Sequence, residues 1–145
     1  MSLPPQKFRE IVFQILYSHG FEPDEREEIV PFMMNELKVT RRVMHDAHDR
    51  MHQVLTKQDE IDLKIAAEST EYSFDRISGV ERTILRLGVF EILFDATIPP
   101  KVAIAEAIRL CRKFGTPESA HFVNAILDGV YKKYGLDVPE RPLPQ

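Results

Sequence analysis

Three histidines lie close together in the first half of the chain, at a spacing that could allow metal binding. His48 and His52 are four residues apart, with His45, Asp46 and Asp49 beside them. Residues i and i+4 share one face of a helix, so that two imidazoles there can hold a metal ion. The sequence offers neither a third ligand nor a general base nearby, and the HExxH pattern is absent. We therefore predict a solvated polar helix face at this position, and no metal.

The single cysteine is the next candidate for chemistry. Cys111 follows Ile104 and Ile108 at helical spacing, which places its thiol on a buried stripe and not at an exposed, activated position. The chain contains no GxSxG motif and no glycine-rich phosphate loop. We therefore predict that the protein is not an enzyme and needs no cofactor.

Basic side chains suggest binding rather than catalysis. Five of them lie near predicted helix starts or one turn apart on one helix: Lys7, Arg9, Arg82, Arg86 and Lys101. Such residues can contact phosphates, although a basic residue on a helix is more often simply solvated.

The turn at residues 115–117 carries further binding features. Phe114 and Phe122 flank it, and an exposed aromatic ring there offers a stacking face to an unpaired base. Phe122 is equally compatible with a place in the core. The helix start around Glu118 and Ser119 offers free N–H groups and side-chain acceptors for a base edge or a phosphate.

Composition limits the class of protein. The chain has 145 residues, 43% of them hydrophobic and 29% charged, which is ordinary for one globular domain. No apolar run is long enough to cross a bilayer, and the start lacks a signal peptide, so we expect a cytoplasmic protein. A single cysteine agrees with a reducing compartment. The net charge of −4 argues against nucleic-acid binding by bulk electrostatics, so any RNA contact must be local or shared with a partner.

The apolar spacing predicts an all-α fold of about seven helices in a compact bundle. Four helices are expected in the first half: a stripe from Phe8 to Leu16 that stops near Gly20, an acidic helix from Pro23 with a kink or break at Pro31, one capped by Thr40, and one over Gln58 to Tyr72.

The second half is marked more sharply by proline, glycine and capping residues. Three helices are expected there: one from the capping box Ser78 and Glu81, one from Pro99 and Pro100 to Gly115, and one capped by Thr116, with Pro117 in its first turn, to Gly135. We assign residues 1–135 to one helical domain and residues 136–145 to a proline-rich tail.

The order and spacing of these features resemble the NusB family of transcription antitermination factors. The similarity runs from about Lys7 to Val130 and is densest in VERTILRLGVFEILF, PPKVAIAEAIRLCRKFG and SAHFVNAILDGV. The first helix also has the family's opening pattern, in Lys7, Arg9, Gln14, Leu16 and Tyr17.

The resemblance implies two small three-helix bundles, no catalysis, and binding of the single-stranded boxA element of nascent RNA together with the ribosomal protein NusE. Through these partners such a factor connects the RNA to other elongation factors and RNA polymerase, and a homodimer that covers the RNA face is also implied for some relatives. On this mapping the RNA-binding residues are Lys7, Arg9, Arg86, Phe114, Glu118, Ser119 and Phe122, and the partner-binding residues are Tyr17, Arg76 and Glu81.

The sequence departs from the family pattern at its amino end. Only Lys7 and Arg9 follow two prolines there, where the family carries more arginines. We therefore expect weak RNA affinity for the isolated chain, since each lost phosphate contact lowers the salt dependence of binding. A protein-interaction module of the same fold with little RNA affinity is the alternative. The helical domain of an RNA methyltransferase is disfavoured because the sequence shows no nucleotide-binding half.

Overall fold

A computed structural model describes residues 3–20 and 40–135, which contain six α-helices and one short 3-10 helix and no β-strand. The α-helices are α1 (Pro5–Ser18), α2 (Arg41–Thr56), α3 (Gln58–Glu68), α4 (Gly79–Phe94), α5 (Pro100–Phe114) and α6 (Pro117–Tyr134), and the 3-10 helix covers Phe74–Arg76. The predicted all-α class is confirmed. The acidic helix predicted around Pro23 and Pro31 and the predicted tail lie outside the described residues.

The chain divides into two compact units, residues 1–56 and residues 57–145. In the first unit α1 packs against α2. Most of each predicted stripe is buried, with Ile11, Val12 and Ile15 fully enclosed on α1 and Ala47 and Val54 on α2. One residue of each stripe is only half-buried, Phe8 on α1 and Leu55 on α2. The α2 start is capped as predicted, because Thr40 Oγ1 accepts a hydrogen bond of 3.2 Å from the Val43 N–H.

In the second unit α4 lies at the centre and packs against α3, α5 and α6, while α5 and α6 pack against each other. Its predicted core face is buried throughout, at Ile84, Leu85, Gly88, Val89 and Ile92. A Cβ atom on Gly88 would lie 2.9 Å from Leu127 Cδ1, so the absence of a side chain there lets α4 and α6 approach closely.

Two predicted details are wrong. The helix expected to reach Tyr72 ends at Glu68, because the chain turns there and Ser69 Oγ donates a 2.6 Å hydrogen bond to the Tyr72 carbonyl. The capping box is only half formed. Ser78 Oγ accepts from the Glu81 N–H at 3.2 Å, but the Glu81 carboxylate accepts from the Ser78 hydroxyl and not from the Ser78 backbone N–H.

No helix within the two described stretches combines the length and the apolar character needed to traverse a bilayer.

Candidate nucleic-acid interface

The turn between α5 and α6 is built by hydrogen bonds among its own residues. Thr116 Oγ1 caps α6 by accepting from the Ser119 N–H at 3.2 Å, and the two hydroxyl oxygens lie 3.1 Å apart. Ser119 is buried, and a Cβ on Gly115 would lie only 3.3 Å from its Oγ. The predicted RNA residue Ser119 therefore shapes the turn from inside rather than facing solvent.

A groove of about 440 Å³ opens beside this turn, between the end of α5 and the start of α6. We call it the polar groove and define it by six of its lining residues: Ile108, Arg112, Pro117, Ala120, His121 and Asn124. Arg112, His121 and Asn124 are exposed, whereas Ile108 and Ala120 are half-buried. The groove thus combines an apolar floor with polar and cationic groups at its mouth.

A second depression, of about 390 Å³, lies beside the neighbouring face of α6. We call it the acidic groove and define it by four carboxylates and two rings: Glu68, Glu71, Glu81, Glu118, Tyr72 and Phe122. His121 lines it as well. The acidic groove therefore brings two predicted RNA residues, Glu118 and Phe122, together with the predicted partner residue Glu81.

The charges of the acidic groove are only partly compensated. Lys133 Nζ lies 2.6 Å from Glu68 Oε1, and this contact with the Glu68 carboxylate raises the pKa of Lys133. Neither Glu71 nor Glu118 contacts a cation within residues 3–20 or 40–135. Uncompensated carboxylates repel phosphate and attract cations, so the acidic groove suits a positively charged group better than an RNA backbone.

Aromatic packing limits the stacking surface offered by Phe122. Its ring meets the Tyr72 ring edge to face, with centroids 5.3 Å apart. The Phe122 side chain is half-buried, which lies between the exposed stacking ring and the core residue that the sequence left open. Phe114 is also half-buried, at the end of α5, where the Lys113 ammonium lies 5.8 Å from its ring centroid.

Arg86 is held in an ion pair. Its Nε and Nη2 donate to the two carboxylate oxygens of Asp62, both at 2.9 Å, and the guanidinium lies 5.7 Å from the Phe74 ring centroid. Both charged side chains are about 20% exposed. This bidentate pair joins α3 to α4, so that Arg86 has a structural contact in addition to its predicted RNA contact.

The remaining predicted partner residue of the second unit lies at the end of the 3-10 helix. Arg76 is exposed there, while Glu81 is half-buried in the first turn of α4.

Three predicted site residues belong to the first unit. Lys7 and Arg9 are half-buried in the first half of α1. Because they are two residues apart, they lie on nearly opposite faces of that helix. Tyr17 is half-buried near the end of α1, with its ring stacked on Phe13 at a centroid distance of 6.0 Å.

The histidine cluster lies on an exposed face of α2. His45 Nδ1 is 3.5 Å from Asp49 Oδ2, and the ligand atoms of His45, Asp46 and Asp49 lie within 4.8 Å of one another. This grouping differs from the His48 and His52 pair that the spacing suggested. The pKa of His48 is lowered mainly by burial and to a lesser extent by the neighbouring His52 and His45.

The prediction of a packed thiol is confirmed. Cys111 is fully buried, and burial together with the charge of Glu81 raises the pKa of its thiol to about 11. A neutral, enclosed thiol of this kind is a poor nucleophile near neutral pH.

Sequence reasoning missed the polar groove. None of Arg112, His121 and Asn124 was predicted as a site residue. The spacing of the lining residues could have predicted that they share a surface. Ile108 and Arg112 are one turn apart on one face of α5, and Pro117, His121 and Asn124 lie on one face of α6 at i, i+4 and i+7.

The fold and these two grooves define an all-α binding domain. The sequence model described as the NusB family matches residues 6–132, and the chain belongs to this family. The resemblance noted in the sequence is thus confirmed, and with it the expectation that the protein is not an enzyme.

Named relatives support the assignment. Transcription antitermination protein NusB of Chlamydia pneumoniae is 35% identical over 92% of this chain and 84% of its own length. The protein of the same name from Lachnoclostridium phytofermentans is 40% identical over 84% of this chain and 94% of its own length.

Solved structures agree in fold. Thermotoga maritima NusB superposes with a TM-score of 0.78 and 34% identity, covering 93% of this chain and 95% of that one. A chain from the crystal structure of antitermination factors NusB and NusE in complex with dsRNA gives a TM-score of 0.72 and 28% identity, covering 89% and 96%.

Proposed function

We propose that this protein is a transcription antitermination factor that binds boxA-type single-stranded RNA together with ribosomal protein NusE. In this proposal the complex acts in the cytoplasm and connects the nascent RNA, indirectly, to RNA polymerase and other elongation factors. The observation that carries the proposal is the likeness, over 89% of this chain, to a chain from the structure of NusB and NusE in complex with dsRNA.

Charge supports a shared rather than an independent RNA site. The chain carries a net charge of −4, and Arg86 is already paired with Asp62. Phosphate binding draws its affinity from counterions released by Lys and Arg. A basic partner supplies what this chain lacks, so we expect weak binding by the protein alone and tighter, salt-sensitive binding with NusE.

The test is a fluorescence anisotropy titration of a labelled boxA-like single strand at two salt concentrations. The protein is added alone and then with an equal amount of NusE, and a scrambled strand and a double-stranded form serve as RNA controls. We expect cooperative tightening that is largest for the boxA-like strand and decreases with salt. A folded protein whose mixture with NusE shows no salt-sensitive RNA binding contradicts the proposal.

The acidic groove favours a second candidate, a protein-interaction module with little RNA affinity. The double variant Lys7→Ala and Arg9→Ala separates the two, because it removes the family's basic motif at the start of α1. Unchanged complex formation with RNA and NusE after this change supports the module, and a lower salt dependence supports the RNA-binding factor. Sedimentation of the protein with and without RNA tests the implied homodimer in the same samples.

A further inference from the structure

The three polar side chains at the mouth of the polar groove are not engaged elsewhere. Arg112, His121 and Asn124 form no ion pair or side-chain hydrogen bond with any residue in the described ranges. Two other arginines of the same unit do have carboxylate partners, Arg86 with Asp62 and Arg109 with Glu106. The hydrogen-bonding capacity of the groove is therefore available to a ligand.

The floor and the volume of the polar groove suit a flat, partly apolar ligand. Half-buried Ile108 and Ala120 and the exposed Pro117 supply its apolar lining. Its volume of about 440 Å³ falls within the range of small-ligand sites, roughly 300–1,000 Å³.

The charge of the groove selects among such ligands. Of the residues that the structure describes, none that lines the polar groove is acidic, whereas four carboxylates line the acidic groove on the neighbouring face of α6. A phosphate approaching this end of the unit is repelled by the acidic groove and attracted by the Arg112 guanidinium, which matches phosphate geometry.

We propose that the polar groove holds one nucleotide of a single-stranded RNA, with Arg112 on the phosphate and Asn124 and His121 on the base edge. An asparagine amide both donates and accepts, as the edge of an unpaired base requires, and imidazole both stacks and hydrogen-bonds. This inference rests on the proposed RNA-binding function. It moves the nucleotide from Glu118 and Phe122 to the neighbouring face of α6.

The experiment uses the full-length protein with NusE and the labelled boxA-like strand, at three or more salt concentrations. Arg112→Gln and Asn124→Ala are the test variants. Lys132→Gln is the matched control, because Lys132 is an exposed base in the last turn of α6, about 12 Å from Asn124 along the helix axis. NusE binding without RNA and thermal melting are measured for all four proteins.

We expect Arg112→Gln to lower the slope of log affinity against log salt by about 0.7, the value for one phosphate contact in a single strand. Asn124→Ala should weaken binding by about five-fold or more with the slope unchanged, since a base contact is worth at least that factor. Lys132→Gln should leave both quantities as in the wild type, and all three variants should bind NusE normally.

Three outcomes overturn the inference. If the wild type binds RNA and both test variants bind equally well, the nucleotide lies elsewhere while the proposed function stands. If Lys132→Gln has the same effect as Arg112→Gln, the contribution is general electrostatics. If the test variants lose NusE binding without RNA, the groove serves the protein partner. A wild type that fails to bind RNA with NusE refutes the proposed function itself.

Discussion

Replacing Arg86 with alanine separates a structural role from direct RNA contact. The family mapping places this arginine on RNA, whereas the structure gives it a bidentate pair with Asp62 at 2.9 Å and a position over the Phe74 ring. We predict that Arg86→Ala mainly lowers stability, because it removes the pair that joins α3 to α4.

The magnitude follows from the partial burial of the pair. Exposed ion pairs contribute about 0–1 kcal/mol, and breaking a fully buried one costs about 3–5 kcal/mol. Arg86 and Asp62 are each about 20% exposed, between these limits. A cost of about 2 kcal/mol is therefore expected, which for a chain of this length corresponds to a Tm lower by about 6 °C.

The assay combines urea unfolding with RNA titration for Arg86→Ala, Asp62→Asn and the double variant. A structural pair predicts that both single variants lose stability, that the double variant costs less than their sum, and that RNA binding by folded protein is unchanged. Asp62→Asn is the informative partner, because it leaves the arginine in place.

Direct RNA contact predicts a different pattern. Arg86→Ala would then leave the free energy of unfolding within about 0.5 kcal/mol of the wild type, while the salt slope of RNA binding would fall and Asp62→Asn would bind RNA at least as tightly. That result would refute the assignment of Arg86 to the fold.

Three further predictions concern the second unit. Glu81→Ala should cost no more than about 1 kcal/mol of stability, because Ser78 still caps α4. If Glu81 faces the partner, the same change should weaken NusE binding measured by calorimetry. Gly88→Val should lower the free energy of unfolding by about 1–3 kcal/mol, because even a Cβ there meets Leu127 at 2.9 Å. Burial raises the pKa of the Cys111 thiol from 9.0 to about 11. The folded state therefore holds this proton more tightly, and stability should fall as the pH rises from about 9 to 11.

Each of these predictions has its own control. Ser78→Ala removes the cap without the carboxylate, so that an equal loss of NusE binding in both variants would point to helix fraying. Gly88→Val combined with Leu127→Ala should recover part of the lost stability, and no recovery would contradict the contact. Cys111→Ala should flatten the stability profile between pH 9 and 11, and an unchanged alkaline decline would assign it to other groups.

Features set by neighbouring residues were predictable from the sequence. Thr40, Ser78 and Thr116 each cap a helix through an N–H three residues ahead, so that a short stretch of sequence contains both partners. The buried stripes of α1 and α4 follow from helical spacing in the same way.

Features that join distant residues were not predictable. Asp62 and Arg86 are 24 positions apart, and nothing in either neighbourhood identifies the other as its partner. The acidic groove collects Glu68, Glu81 and Glu118 from three helices. The sequence showed these residues separately, and only the packing of α3, α4 and α6 brings their charges together.

His121 lines both grooves, so that the polar and acidic surfaces are separated by the width of one side chain. Unit charges about 8 Å apart still interact by roughly 0.5 kcal/mol in water. A cation that enters the acidic groove therefore favours an anion in the polar groove. Thermodynamic reciprocity requires the anion to favour the cation by the same factor. Since salt screens charges over about 8 Å at physiological ionic strength, rising salt weakens this mutual effect as well as each binding step.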